Sequence, residues 1–149
     1  MTRFQEVKEP KHKLETIIPQ RATQGSAGYD IHIKEDIMIR PGETILTFTD
    51  LKCQLEPNEV LYIHVRSSVG IKLGIMLANG TGVIDSDYYG NEDNDGNIGI
   101  AIHNYSNHVL KFKAGERVAQ GVIHETVEDY DGLWNATTRR VGGFGSTGK

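Results

Sequence analysis

Three short segments carry the residue types needed to handle an anionic substrate. Arg66-Ser67-Ser68 joins a guanidinium fork to two hydroxyls, after an alternating apolar segment and at the start of a predicted short helix over Ser67–Leu73. Arginine binds phosphate bidentately, and the free N–H groups of a first helical turn add to such a site. The same residues also suit an ion-paired arginine beside a capping serine, and spacing alone leaves both open. Asn79-Gly80-Thr81-Gly82-Val83-Ile84-Asp85 reads as a hairpin. Its glycines would expose backbone donors and acceptors that could read the edge of a planar base. Asp85 follows two β-branched residues and is expected at the edge of a dry pocket. A carboxylate there could take a proton from water as a general base, or could simply cap a turn. Tyr88 and Tyr89 add an aromatic pair, and Arg117 and Gln120 follow a turn at Gly115.

The tail from Arg139 to Lys149 holds Gly142, Gly143, Gly145 and Gly148, too many glycines for a regular element. It reads either as a disordered terminus or as a lid over an anionic ligand, with Phe144 as anchor and backbone N–H groups on phosphate. It is not a phosphate-binding Walker loop, because the Lys-Ser/Thr ending is missing. Nucleophilic catalysis has no good candidate. Cys53 lies in an apolar-alternating stretch without a nearby histidine, as a buried thiol does. The six histidines show no zinc-ligand spacing.

The elements that must position these residues are short, β-branched and bounded by turns. Strands are predicted near Tyr29–Ile33, Ile37–Ile39, Ile45–Leu51, Val60–Val65, Ile75–Leu77, Ile98–Ile102, His108–Phe112 and Val118–Val122. Turn-like Arg40–Glu43, Glu56–Glu59 and Lys113–Glu116 separate several of them. Many short strands of this kind indicate an all-β sandwich or barrel. Asn91–Asn97 has no apolar residue and is expected to be an exposed, solvated loop that points away from the phosphates. Its acids only partly match a calcium loop, since Gly96 is out of place and no flanking helices are predicted.

The chain has 149 residues, the length of one domain that can build its own core. Sixteen Lys and Arg against 20 Asp and Glu give a net charge of −4, which argues against direct nucleic-acid binding through a broad basic face. One cysteine excludes an internal disulfide. A Lys- and Glu-rich start and short apolar runs predict no signal peptide, no membrane contact and a cytoplasmic location. Glycine is in excess, at 17 residues, and much of the excess lies in the Gly70–Gly99 stretch and the tail.

Five segments in this order resemble the motifs of the homotrimeric dUTP pyrophosphatase (dUTPase) family: Ala27–Ile31, Arg66–Ser68, Asn79–Gly90, Gly115–Gln120 and Gly142–Gly148. The similarity runs from about Pro19 to Gly148. Each segment is weak alone, and five in order are specific. The resemblance implies a jelly-roll-like, distorted β-barrel over residues 1–138 and a flexible glycine-rich C-terminal arm over 139–149. It also implies a homotrimer with shared active sites that hydrolyses dUTP to dUMP and pyrophosphate, limiting uracil in DNA and supplying dUMP for thymidylate synthesis. Carried over by motif, Asn79, Gly82 and Val83 would read uracil, and Tyr88 would pack on the deoxyribose. Asp85 would activate the water that attacks the α-phosphorus, and Arg66, Ser67, Ser68 and Gln120 would hold phosphates. Asp30 would act through waters around Mg²⁺. Phe144 would stack on uracil, beside Gly145, with Ser146 and Thr147 closing on the γ-phosphate.

The sequence departs from this pattern twice. Asn91–Asn97 intervenes where the family runs from Tyr-x-Gly directly into a strand. The last motif has Arg139-Arg140 where the family has Arg-Gly, so Arg139 is the expected phosphate contact and Arg140 its competitor. A related deaminase of dCTP would need a glutamate at the position of Ala101, and Ile98–Tyr105 holds no carboxylate. A second, regulatory role toward a protein partner is the alternative of a different class, with Asn91–Asn97 as the segment that could serve it.

Overall fold

The computed structural model describes residues 3–127 and 140–145. Alternating β-branched residues form the strands, as the period of two requires. In chain order these are β1 (Phe4–Glu6), β2 (Tyr29–His32), β3 (Ile37–Ile39), β4 (Thr44–Phe48), β5 (Leu51–Cys53) and β6 (Glu59–Val65). After α1 (Ser67–Leu73) come β7 (Ile75–Leu77), β8 (Gly82–Asp85), β9 (Gly99–Asn104), β10 (Leu110–Phe112) and β11 (Arg117–Glu125). The strands pair antiparallel in the orders β2-β11-β6-β8, β4-β9-β7, β3-β10 and β1-β5. Strands with a single α-helix and one short 3-10 turn (Ser86–Tyr88) among the described residues make the all-β, jelly-roll-like barrel that was expected. Ile100 and Ile102 of β9, Leu61 and Ile63 of β6, and Ile31 and Val118 meet in its core.

The long strand β11 is central to the site. It pairs with β2 on one side, placing Gln120 opposite Asp30, and with β6 on the other, placing Gln120 opposite His64. It runs further than the predicted Val118–Val122 because β6 supplies a partner as far as Glu59. Helix α1 spans the predicted residues and ends at Gly74, whose φ of 74° is the left-handed conformation that closes a helix.

The predicted strand Ile45–Leu51 is in fact two. Thr49 Oγ1 donates to the Ile98 carbonyl and accepts from Leu51 N–H, which draws the chain out of the ladder. Asp50 then turns with φ 58° into the core. The predicted strand from His108 begins instead at Leu110, because the His108 carbonyl accepts from the Asn104 amide in the preceding turn. The Asn79–Asp85 hairpin does turn at Gly80, but its arms diverge between sheets. β7 pairs with β9, β8 with β6, and only a Leu77–Gly80 bridge joins them. This splayed corner opens a cavity.

Candidate active site

Two clusters of polar residues stand at different ends of β6. The first surrounds the splayed corner. A cavity of about 200 Å³ is lined by Asn79, Gly82, Val83, Asp85 and Tyr88, and by Arg140 and Phe144 from the arm. Asp85 ends β8 opposite Val60. It is not at a dry edge as expected, for its side chain is 51% exposed. Its Oδ2 accepts from Arg140 Nη2 at 2.5 Å, while Arg140 Nε donates to Asp87 Oδ1 at 2.7 Å. The Arg140 guanidinium also lies 6.0 Å from the Tyr88 ring centre. Of the two tail arginines, Arg140 is therefore in this cluster. Arg139, Ser146 and Thr147 lie outside the described residues.

Phe144 faces the cavity with its ring largely exposed and its edge toward Phe48, 6.4 Å between centres. Gly145 follows with φ 92°. The arm passes so close to Tyr88 that a Cβ on Gly143 would lie 2.7 Å from the Tyr88 ring, so only glycine fits there.

The second cluster lies at the far end of β6. Asp30 on β2 accepts from Arg66 Nε at 3.0 Å and from Arg117 Nη1 at 2.9 Å. Arg66 Nη1 also donates to the Arg117 carbonyl. Arg66 is thus ion-paired and is itself the N-cap residue of α1, so neither serine caps the helix. Ser67 and Ser68 are exposed on its first turn, where N–H groups lack intrahelical partners. Gln120 packs over Gly28, where a Cβ would come within 2.4 Å of its Oε1. His32 stands opposite Arg117. Burial first, then the charge of Arg117, pushes its pKa down.

The expectation that Asn91–Asn97 is an exposed, solvated loop is overturned. Asn91, Gly96 and Asn97 are buried, and only Glu92 and Asp93 are exposed. Asn91 Oδ1 accepts from Asp93 and Asn94 N–H, and its Nδ2 donates to the Tyr88 carbonyl and to Asn94 Oδ1. Several attachments hold the segment to the barrel, among them a bond from Lys8 N–H to Asp95 Oδ2 at 2.8 Å. Asn97 bonds Asp50, Asp95 pairs with Lys52 Nζ at 2.8 Å, and Asn94 Nδ2 donates to Tyr88 Oη at 2.8 Å. The segment also reaches the arm, with Asp93 N–H donating to the Val141 carbonyl at 3.2 Å. Its polarity was read as solvation, when the polar groups satisfy one another. Three asparagines spaced three apart were the available signal, since asparagine bonds local backbone in turns.

Asp50 has a completely buried carboxylate. Burial would raise its pKa, but bonds from Lys11 N–H, His12 and Asn97 outweigh that and hold it below its ordinary value. Cys53 is buried, as expected, and burial pushes its thiol up to about 12. Among the described residues no group of three or more His, Cys, Asp or Glu could hold a metal by itself. None of the described helices is long and apolar enough to cross a membrane.

A family model for dUTPase matches residues 15–148. The deoxyuridine 5'-triphosphate nucleotidohydrolase of Lactococcus lactis is 43% identical over 131 residues, covering 88% of this chain and 87% of that protein. The enzyme of the same name from Nautilia profundicola is 39% identical over 147 residues, covering 96% and 99%. The crystal structure of dUTPase from Streptococcus mutans superimposes with a TM-score of 0.77 at 36% identity, covering 85% of this chain and 97% of that one. The chain belongs to the dUTPase family, and is by that membership a hydrolase.

Proposed function

We propose that this protein hydrolyses dUTP to dUMP and pyrophosphate as a homotrimer whose active sites are each shared between subunits. The observation that carries this reading is the cavity with hairpin backbone on one wall, Tyr88 on another and Asp85 at its rim. Asn79, Gly82 and Val83 present main-chain donors and acceptors to a pyrimidine edge, and Tyr88 packs on the sugar. Asp85 takes the proton of the water that attacks the α-phosphorus. The leaving pyrophosphate departs with its charge held by Arg66, Ser67, Ser68 and Gln120.

The separation of the two clusters supports sharing. Asp85 pairs with Val60, and Arg66 lies six residues further along the chain of β6. At about 3.3 Å per residue they are roughly 20 Å apart, far longer than a triphosphate chain. One chain therefore brings a base pocket and a phosphate cradle to two different sites, and a neighbouring copy completes each. The outer face of the β4-β9-β7 sheet, with exposed Leu46 and Met76, offers apolar surface for such an assembly.

Arg140 engages Asp85 until substrate arrives. A triphosphate is a stronger partner for a guanidinium than one carboxylate, so its binding draws Arg140 away and frees Oδ2 for water. Arg139, Gly145, Ser146 and Thr147 would then add phosphate contacts as the arm closes. Both Asp30 oxygens are already taken by arginines, so the residues fit a Mg²⁺ ion held chiefly by substrate phosphates and touched by Asp30 only through waters. When bound, that ion would spread phosphate charge and fix the chain's conformation.

The test is pyrophosphate release from dUTP compared with dTTP, UTP and dCTP. Preference for dUTP by at least a hundredfold over each supports the reading. Equal turnover of dTTP would remove the base pocket from it, and ammonia release from dCTP would replace hydrolysis with deamination.

A further inference from the structure

The Tyr88 hydroxyl has no capacity left for a ligand. It donates to the Asn97 carbonyl at 2.8 Å and accepts from Asn94 Nδ2 at 2.8 Å. The Asn94 amide is itself fixed, because its Oδ1 accepts from Asn91 Nδ2 and Gly96 N–H at 2.8 and 3.0 Å. With Oδ1 so occupied, Nδ2 must point at Tyr88. The phenol is thus clamped at its far end, and its ring edge lines the cavity.

We infer that Asn94 is a positioning residue for the sugar subsite, acting through Tyr88 to set discrimination between deoxyribo- and ribonucleotides. This rests on the proposed placement of the deoxyribose against Tyr88. A clamped ring cannot retreat from a 2′-hydroxyl, and its saturated Oη offers that hydroxyl no hydrogen bond in return. A ribonucleotide would therefore meet both a steric limit and an unpaid desolvation. Without the Asn94 donor the ring is held at one point instead of two. Small displacements of such groups are enough to change selectivity.

The experiment compares kcat/KM for dUTP and UTP in wild-type enzyme, Asn94→Ala, Asn94→Asp, Tyr88→Phe and the double variant Asn94→Asp/Tyr88→Phe. Asn94→Asp keeps the Oδ1 acceptor that folds the segment and turns the donor to Tyr88 into an acceptor; the single Oη proton then serves either that oxygen or the Asn97 carbonyl, so the ring is held at one point, and this variant decides the matter if Asn94→Ala fails to fold. The dUTP/UTP preference is expected to fall at least threefold in each single variant. KM for dUTP is expected to rise while kcat stays within about threefold. Adding Asn94→Asp to Tyr88→Phe should change the preference no further, since with the Oδ1 acceptor kept the substitution acts only through Oη. A preference within threefold of wild type in the Asn94→Asp enzyme overturns the inference, as does an additive effect in the double variant. Wild-type enzyme without dUTP hydrolysis would instead overturn the functional reading on which the inference stands.

Discussion

Arg140 sets its guanidinium against Asp85, with Nη2 2.5 Å from Oδ2, and so joins the arm to a carboxylate at the rim of the cavity. A carboxylate in this position can give up its partner to an incoming polyanion, and the proposed role of Asp85 as base is open to a direct test. Asp85→Asn preserves shape and can still accept from Arg140, but it cannot take a proton from water. It is expected to bind a non-hydrolysable dUTP analogue within about threefold of wild type. Its kcat should fall by about 10²–10⁴, the usual contribution of a general base. Single-turnover and binding measurements check this, and a fall in kcat below about fivefold would place the base elsewhere.

The roughly 20 Å between Asp85 and Arg66 along β6 leads to a test of shared sites. Asp85→Asn and Arg66→Ala should each be nearly inactive alone. Refolded together from equal amounts, they should recover about a quarter of wild-type activity, because each site draws the two positions from different subunits independently. No recovery in mixed trimers confirmed by mass spectrometry would mean that both positions serve one site from one chain.

Most strands were legible because β-branched alternation is a local signal, and β3, β7 and α1 appear where the spacing put them. The break at Thr49–Asp50 was not, because it depends on His12 and Asn97, 38 and 47 residues away in sequence. The acids and hydroxyls of the candidate site could be named from their motifs. Their division into two clusters could not, since it follows from the β6–β8 register. Arg117 was noted without a role, and only the pairing of β11 with β2 brings it to Asp30. Asn91–Asn97 was misread for a related reason: composition reports polarity but not which polar groups find each other.

Asp50 predicts an acid limb in stability. Its pKa is depressed in the folded state, so its contribution is fully present above the ordinary carboxylate range, near pH 4. It is lost as pH falls through the folded value. Asp50→Asn should therefore lower stability at pH 7 by about 1.5–3 kcal/mol, the cost of hydrogen bonds to a buried charged group. The difference from wild type should shrink as pH drops below about 4. Urea melts at pH 7 and pH 3 measure it, and a constant difference between them would show that the charge is not what matters.

An exposed, solvated loop at Asn91–Asn97 could be replaced with a two-residue turn at little cost to kcat/KM. The contacts of the segment predict the opposite, because the replacement removes the Asn97 bonds to Asp50, the Lys52–Asp95 pair and the support of Tyr88. Buried polar partners left unpaired cost about 1–3 kcal/mol each. The variant should melt at least about 8 °C lower, on the scale of 2–4 °C per kcal/mol for a chain of this size. It should also lose at least tenfold in kcat/KM. A variant with wild-type melting and kinetics would restore the view of a dispensable surface loop.

The arm offers the sharpest separation of folding from catalysis. Phe144 is 72% exposed and meets the barrel only at the edge of Phe48 and around Gly99. Removing it gives up little buried surface, and stopping the chain after Arg140 further costs the Asp93–Val141 hydrogen bond and the packing of Gly142 and Gly143, so the melting temperature should stay within about 4 °C. Catalysis is a different matter. Ordering glycine-rich backbone costs about 1–2 kcal/mol per residue, and a ligand must offset that cost. A uracil ring stacked on Phe144 and phosphate oxygens on Ser146 and Thr147 would do so together, whereas neither pyrophosphate nor deoxyuridine alone supplies both. Closure would also exclude bulk water from the site, so kcat should suffer along with KM. The truncated enzyme is expected to lose at least tenfold in kcat/KM for dUTP, and Phe144→Ala should show most of that loss. In the full-length chain, protease protection of the arm should appear with the non-hydrolysable dUTP analogue and Mg²⁺, but not with either half of the nucleotide. Full-rate hydrolysis by the truncated enzyme would make Phe144 a passive terminus and remove the lid from the mechanism.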